Sequence, residues 1–288
     1  MSITPAQSQR PGEAVPSEHG PVSTGGSLAY SAGRKPVSAF RQDTLDRLRA
    51  EVRAIEGAGA DGERECLPFG VDALDQRLAG GGLALAALHE VAPAGAGLGD
   101  DAAASLFIAA LAARLATLER QGNVLWALAR RDLFAPALEQ AGLPPERILY
   151  AECGRDEDVL AVMEEGLRHG GLAAIVGEVG RAGMTASRRL QLAAEEGRTT
   201  ALMLRRWRRS GEDPLLLPSA AVTRWRIGCA PSEPLPAPGV GRPRWHLALA
   251  RQRGGEPFEL LMEGPDAEGR LALAAEPQHR SHHARAAA

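Results

Sequence analysis

One stretch constrains this chain more than any other: residues 90–101, Glu-Val-Ala-Pro-Ala-Gly-Ala-Gly-Leu-Gly-Asp-Asp. An apolar run, 83–91, leads into it, and a long apolar-periodic run, 102–118, leads out. A strand, a glycine-rich turn and a helix are the parts of a phosphate-binding loop, whose backbone N–H groups and helix N-terminus face an anion. Such a loop also needs a lysine for the outer phosphates and a hydroxyl for magnesium. Gly95, Gly97 and Gly99 can supply the backbone, but Asp100 and Asp101 stand where Lys and Ser/Thr belong. No other lysine can substitute, because the single lysine of the chain is Lys35, in the leader. An aspartate beside a triphosphate is repulsive, by ~1 kcal/mol at contact in bulk water and by more at a partly buried site. At the start of a helix the same residue is favourable. Asp100 is therefore expected to cap the helix, with the loop a plain turn and no cofactor. A site in which aspartate holds magnesium directly stays open as the sharper alternative.

From residue 66 onward the text alternates strand and helix. Strands are expected at 83–91, 123–128, 147–150, 171–179 and 199–204, and helices at 101–120, 132–141, 156–169 and 187–196. Strands alternating with helices mean βαβ units and a mainly parallel sheet, an α/β fold. The last third changes character. Segments 222–227, 244–251 and 258–262 read as strands, with no helix between the last two, which predicts antiparallel strands extending the sheet. Outside this core, 66–264, lie a leader, 1–39, poor in large apolar residues and expected to be disordered, and a polar tail, 265–288. Between leader and core, Leu45, Leu48, Val52 and Ile55 repeat at helical spacing, which predicts an amphipathic helix over 40–57.

The totals exclude little. A formal charge of −3, with 44% apolar and 24% charged residues, gives no global reason for a nucleic-acid or membrane partner. No run approaches ~18 consecutive apolar residues. Cys66, Cys153 and Cys229 form no pair at metal or disulfide spacing, which suits a reducing cytoplasm. His279, His282 and His283 lie in the tail without carboxylate support, a weak metal signal. No catalytic residue and no metal ligand is assigned.

The segments around the loop carry a resemblance. LPFGVDALDQRLAGGGLALAALHEVAP, from residue 67, is similar to the approach of RecA proteins to their phosphate loop. LPPERILYAECGRDEDVLAVMEEGLRHGGLAAIVGEV, from 143, follows the RecA order of strand, acidic helix and central strand. Within that superfamily the degenerate loop, the HGGLAAIVGEV strand and the ending RWRIGCAPSEP…GRPRWHLALARQRGG resemble the ImuA family, inducible mutagenesis proteins A. The resemblance implies a RecA-like core and a cytoplasmic accessory role in SOS-induced, error-prone translesion synthesis. It implies as partners an ImuB-like polymerase homologue and an error-prone replicative-type DNA polymerase, with RecA and single-stranded DNA as further candidates. Where RecA proteins carry a catalytic Glu, this chain has Ala129-Arg130-Arg131; where they carry a magnesium Asp it has Gly177, with Glu178 one position later. A one-residue step turns a side chain to the other face of a strand, so Glu178 is expected to be a poor substitute unless it lies at the strand end, where geometry loosens. These departures favour a protein that is not an enzyme over a divergent DNA-dependent ATPase of the recombinase class. A RecA-like cell-division inhibitor is the third reading.

Arg205, Arg206, Trp207, Arg208 and Arg209 follow the 199–204 strand and join cationic groups to a ring on which a base could stack. By resemblance they lie where RecA proteins place a DNA-facing loop. They are the expected DNA- or partner-binding residues, against a solvated charge run with Trp207 on the core edge. Trp225 and Trp245 are expected in the core, and Glu164, Glu165, Glu195 and Glu196 on solvated helix faces.

Overall fold

The computed structural model describes residues 64–118, 122–207, 213–233 and 241–274, with single positions at 44, 47, 48, 51, 235, 238 and 239. The leader, most of the expected 40–57 helix, the tail beyond 274, and Arg208 and Arg209 lie outside the described residues.

A small antiparallel pair, β1 (Cys66–Leu67) and β2 (Leu83–Ala84), encloses the short helix α1 (Asp72–Asp75). The chain then enters β3 (Leu88–Pro93), α2 (Leu98–Leu118), β4 (Val124–Leu128), α3 (Ala135–Gln140), β5 (Ile148–Glu152), α4 (Asp156–His169), β6 (Ala174–Val179), α5 (Met184–Glu196) and β7 (Thr200–Arg205). Four further strands follow: β8 (Thr223–Ala230), β9 (Arg244–Gln252), β10 (Phe258–Glu263) and β11 (Ala272–Leu273). The main sheet has nine strands in the order β11-β10-β9-β8-β3-β7-β6-β4-β5. Strands β5, β4, β6, β7, β3 and β8 run parallel, and β9, β10 and β11 extend the sheet antiparallel. This is the mainly parallel α/β core with antiparallel extension that the alternation of elements predicts. The sheet continues past residue 264, because Ala272–Leu273 pairs with Met262–Glu263 and buries Leu271.

Local chemistry explains the best-defined helix. α4 opens with Asp156, Glu157 and Asp158, closes with Arg168 and His169, and ends on Gly170 in the left-handed region at φ 68°. Charges matched to the helix dipole and a glycine able to adopt that φ set both ends. The first expected strand, 83–91, is broken in two by Ala86 at φ 50°.

The two faces of the sheet form two cores. One holds α2 with Phe69, Trp126, Trp225 and Trp245, both late tryptophans packed inside as expected. The other holds α4 and α5 with Met163, Ile175 and Met203. By length and mean hydropathy α2 is long and apolar enough to cross a membrane, although Ser105 and Arg114 break it up and it holds no unbroken apolar run of ~18 residues. Its alanines raise its mean hydropathy, yet residues from Ala103 to Ala116 pack against the sheet as a core helix. Glu164, expected in solvent, is buried and held by Arg168 and Arg189.

Candidate functional site

The glycine loop lies at the carboxyl ends of the parallel strands, where α/β folds bind ligands. β3 ends at Pro93, Ala94 N–H donates to Ile227 O at 2.7 Å, and α2 begins at Leu98. Asp100 does not cap the helix as expected. Its Oδ1 accepts the Cys229 N–H at 2.7 Å, across to β8, from within the first turn of α2. A carboxylate thus pins the loop to the neighbouring strand while still facing the positive end of the helix dipole.

Asp101, the next residue, pairs with the Arg206 guanidinium. Arg206 also donates to Glu178 Oε2 through Nε at 2.9 Å and Nη2 at 2.6 Å. Glu178 Oε1 accepts the Trp126 indole N–H at 2.7 Å, and Asp132 Oδ1 lies 3.5 Å from Arg206 Nη2. A guanidinium therefore sits between two carboxylates, one from the first turn of α2 and one from the end of β6. Burial pushes the Glu178 carboxyl up, opposed by Arg206 and the indole hydrogen bond. Burial pulls Arg206 down, but Glu178 and Asp101 outweigh it and the cation is held above its ordinary value.

Glu178, next to last in β6, does meet the loop despite the one-residue step. Ala174 and Val176 belong to the α2-side core, and strand alternation puts Glu178 on that same face. Gly177 faces α4, where a Cβ would collide with the Met163 side chain. Glycine is required there by packing, and the acidic group that meets the loop is one residue on.

Arg205 and Arg206 as DNA- or partner-binding residues are also corrected. Arg205 is fully buried and Arg206 is 8% exposed. They are adjacent at a strand end and so turn to opposite faces. Arg206 finds Glu178 on the α2 side. Arg205 Nη1 donates to Glu90 Oε1 at 3.0 Å on the α4–α5 side, where Arg224 Nε reaches Glu90 Oε2 at 2.7 Å and Ser219 Oγ reaches Oε1 at 2.7 Å. Burial lowers the Arg205 pKa, with Glu90 opposing. Trp207 is half-buried, and its indole N–H donates to Pro93 O at 3.0 Å, which ties the arginine run to the end of β3. Arg208 and Arg209 lie outside the described residues.

Sequence reasoning missed Glu90, Trp126, Asp132 and Asp156. Glu90 had a visible signal, a carboxylate in an otherwise apolar strand. Asp156 had none: its Oδ2 accepts Gly180 N at 3.0 Å and Arg181 N at 2.9 Å, securing the loop after β6 from the start of α4. Ala129, Arg130, Arg155, Arg181 and Trp207 line the cleft, about 530 Å³, that opens beside Glu178 and Arg206. Arg130 pairs with Asp132 at 3.4 Å and Arg155 with Asp158 at 2.9 Å. Among the described residues no group of His, Cys, Asp and Glu has the arrangement of a metal site.

No protein-family model matches the chain. Over 217 residues it is 38% identical to Protein ImuA of Caulobacter vibrioides, in each of two strains, a match spanning 73% of this chain and 88% of the relative. Among solved structures, SulA from Pseudomonas aeruginosa aligns with a TM-score of 0.35 at 26% identity, covering 41% of this chain and 96% of that chain.

Proposed function

The chain belongs to the ImuA family, and on that premise we propose that it is a non-catalytic accessory protein of SOS-induced, error-prone translesion synthesis. Membership ties it to the ImuA/ImuB mutagenesis system. Its partners in this reading are an ImuB-like polymerase homologue and an error-prone replicative-type polymerase, met in the cytoplasm. RecA and single-stranded DNA are secondary contacts.

The observation that carries the non-catalytic reading is Arg206 between Asp101 and Glu178. ATP hydrolysis needs magnesium and an outer phosphate in that space, with cations facing the phosphate. Here the space holds a guanidinium already neutralised by two carboxylates, and Asp100 replaces the phosphate lysine. A triphosphate would have to displace a buried ion pair and then lie against acids. The loop serves instead as a rigid corner joining β3, α2 and β8.

Of the expected binding run, Trp207, Arg208 and Arg209 remain for DNA or a partner, since Arg205 and Arg206 are committed inside. The test is a pull-down of the full chain against the ImuB-like partner, with and without single-stranded DNA, alongside an ATP turnover assay. Partner capture without turnover is expected. DNA-stimulated hydrolysis at the level of a RecA protein would sink the reading in favour of a divergent ATPase. Arg208→Ala with Arg209→Ala should weaken capture or flatten its salt dependence; unchanged capture would remove that run from the interface.

A further inference from the structure

We propose that a second cleft, remote from the glycine loop, binds a phosphoryl group. It opens beside the carboxyl-terminal half of α2, the link between α3 and β5, and the turn after β10. Its volume is about 580 Å³, and three arginines from these three segments line it: Arg114, Arg147 and Arg270. Arg114 lies 16 residues along α2 from Leu98, the start of the helix, which at 1.5 Å per residue is roughly 24 Å from the loop.

Three observations single this cleft out. First, none of the three guanidinium groups is in an ion pair among the described residues, whereas Arg205, Arg206, Arg224, Arg226, Arg242 and Arg244 each have a carboxylate. Second, two acids near the cleft are already engaged by backbone N–H groups. Asp75 accepts the N–H groups of Phe69, Gly70 and Val71, and Asp266 accepts those of Glu268 and Arg270. Glu268 is the one carboxylate among the lining residues, and it stands exposed. Third, Arg114 is fixed in place with donors to spare. Its guanidinium stacks over Phe69 at 5.7 Å and donates through Nη2 to Pro68 O, while Nη1 is buried without an acceptor. Arg147 is likewise anchored, through Nη1 to Ala116 O at 3.0 Å. Burial lowers the Arg114 pKa; the Asp75 carboxylate opposes the fall and the nearby Arg270 adds to it.

Two anchored guanidinium planes and a third on a surface turn match the oxygens of a phosphate, which accepts several charge-assisted hydrogen bonds at once. The turn is fitted to its place: at Gly142, φ 91°, a Cβ would meet Gly269 N at 2.7 Å, so the turn carrying Arg270 packs directly on the α3–β5 link. The phosphoryl group can come from a small anion or from a nucleic-acid backbone, and the experiment separates these.

Full-length protein is titrated with pyrophosphate by calorimetry and, separately, with a fluorescent single-stranded oligonucleotide by anisotropy. Arg270→Ala and Arg147→Gln are compared with the parent, and melting temperatures confirm folding. Arg270 is exposed, so its variant keeps the fold even if Arg147→Gln does not. Each lost charged contact should weaken pyrophosphate binding roughly tenfold. A parallel loss with the oligonucleotide identifies the source as nucleic acid; loss with pyrophosphate alone identifies a small anion. No measurable pyrophosphate binding, or binding that Arg270→Ala leaves unchanged, overturns the proposal.

Discussion

Changing Arg206 to alanine removes the cation shared by Asp101 and Glu178. The side chains of Arg206 and Glu178 are 9% and 4% exposed, so the surviving carboxylate is left poorly hydrated at the floor of the adjoining cleft. Removing one partner of a buried ion pair costs about 3–5 kcal/mol, because the other charge is left uncompensated. Asp101, at 24% exposure, adds less, since water already reaches it. For a domain of this size each kcal/mol moves Tm by about 2–4 °C, so a fall on the order of 10 °C is expected. The pH dependence follows from Glu178. Its folded pKa already lies above the ordinary carboxylate value, and loss of Arg206 raises it further. The destabilisation is therefore full above that raised pKa and shrinks as pH falls through it and Glu178 takes up a proton. Thermal and denaturant melts of parent and variant at neutral pH and at about pH 5 read the effect directly. Arg206→Met combined with Glu178→Gln should recover most of the loss, because no buried charge remains unpaired. A neutral-pH stability for Arg206→Ala within about 0.5 kcal/mol of the parent, or a deficit that grows on acidification, would refute the reasoning.

Three other outcomes are expected. His89 is fully buried, its Nδ1 2.7 Å from Thr223 Oγ1 and its Nε2 2.8 Å from Ala84 O, and burial lowers its pKa from 6.5 to about 4. The unfolded chain therefore binds the proton first, and folding stability should fall by about 3 kcal/mol as pH drops from 6.5 to about 4, a loss that His89→Gln would lessen in a pH-dependent melt. Gly197→Ala drives a Cβ into the Leu167 carbonyl oxygen, a backbone atom that cannot step aside, so denaturant titration should show a loss of about 3 kcal/mol or more. Arg131→Ala removes an exposed pair with Glu152 and should leave the melting curve unchanged within about 0.5 kcal/mol.

The amino-acid sequence by itself determined the order and type of the elements, because the period of apolar residues is a local property. The 156–169 helix is delimited by its own acids, basic residues and terminal glycine, and the observed bounds agree with that reading. Absence of a phosphate lysine is likewise a fact of composition that no fold can reverse. Only the tertiary structure decided what the charged residues are for. Arg205 and Arg206 read as a surface run along the chain, but neighbouring positions at a strand end face opposite ways, and each guanidinium meets a carboxylate distant in sequence: Glu90, 115 positions from Arg205, and Asp101, 105 positions from Arg206. Whether Glu178 meets the loop was open for the same reason, since alternation says which residues share a face but not which helix covers that face. Charge pairing is a contact between elements brought together by the sheet order, and that order is not written in the spacing of any one segment.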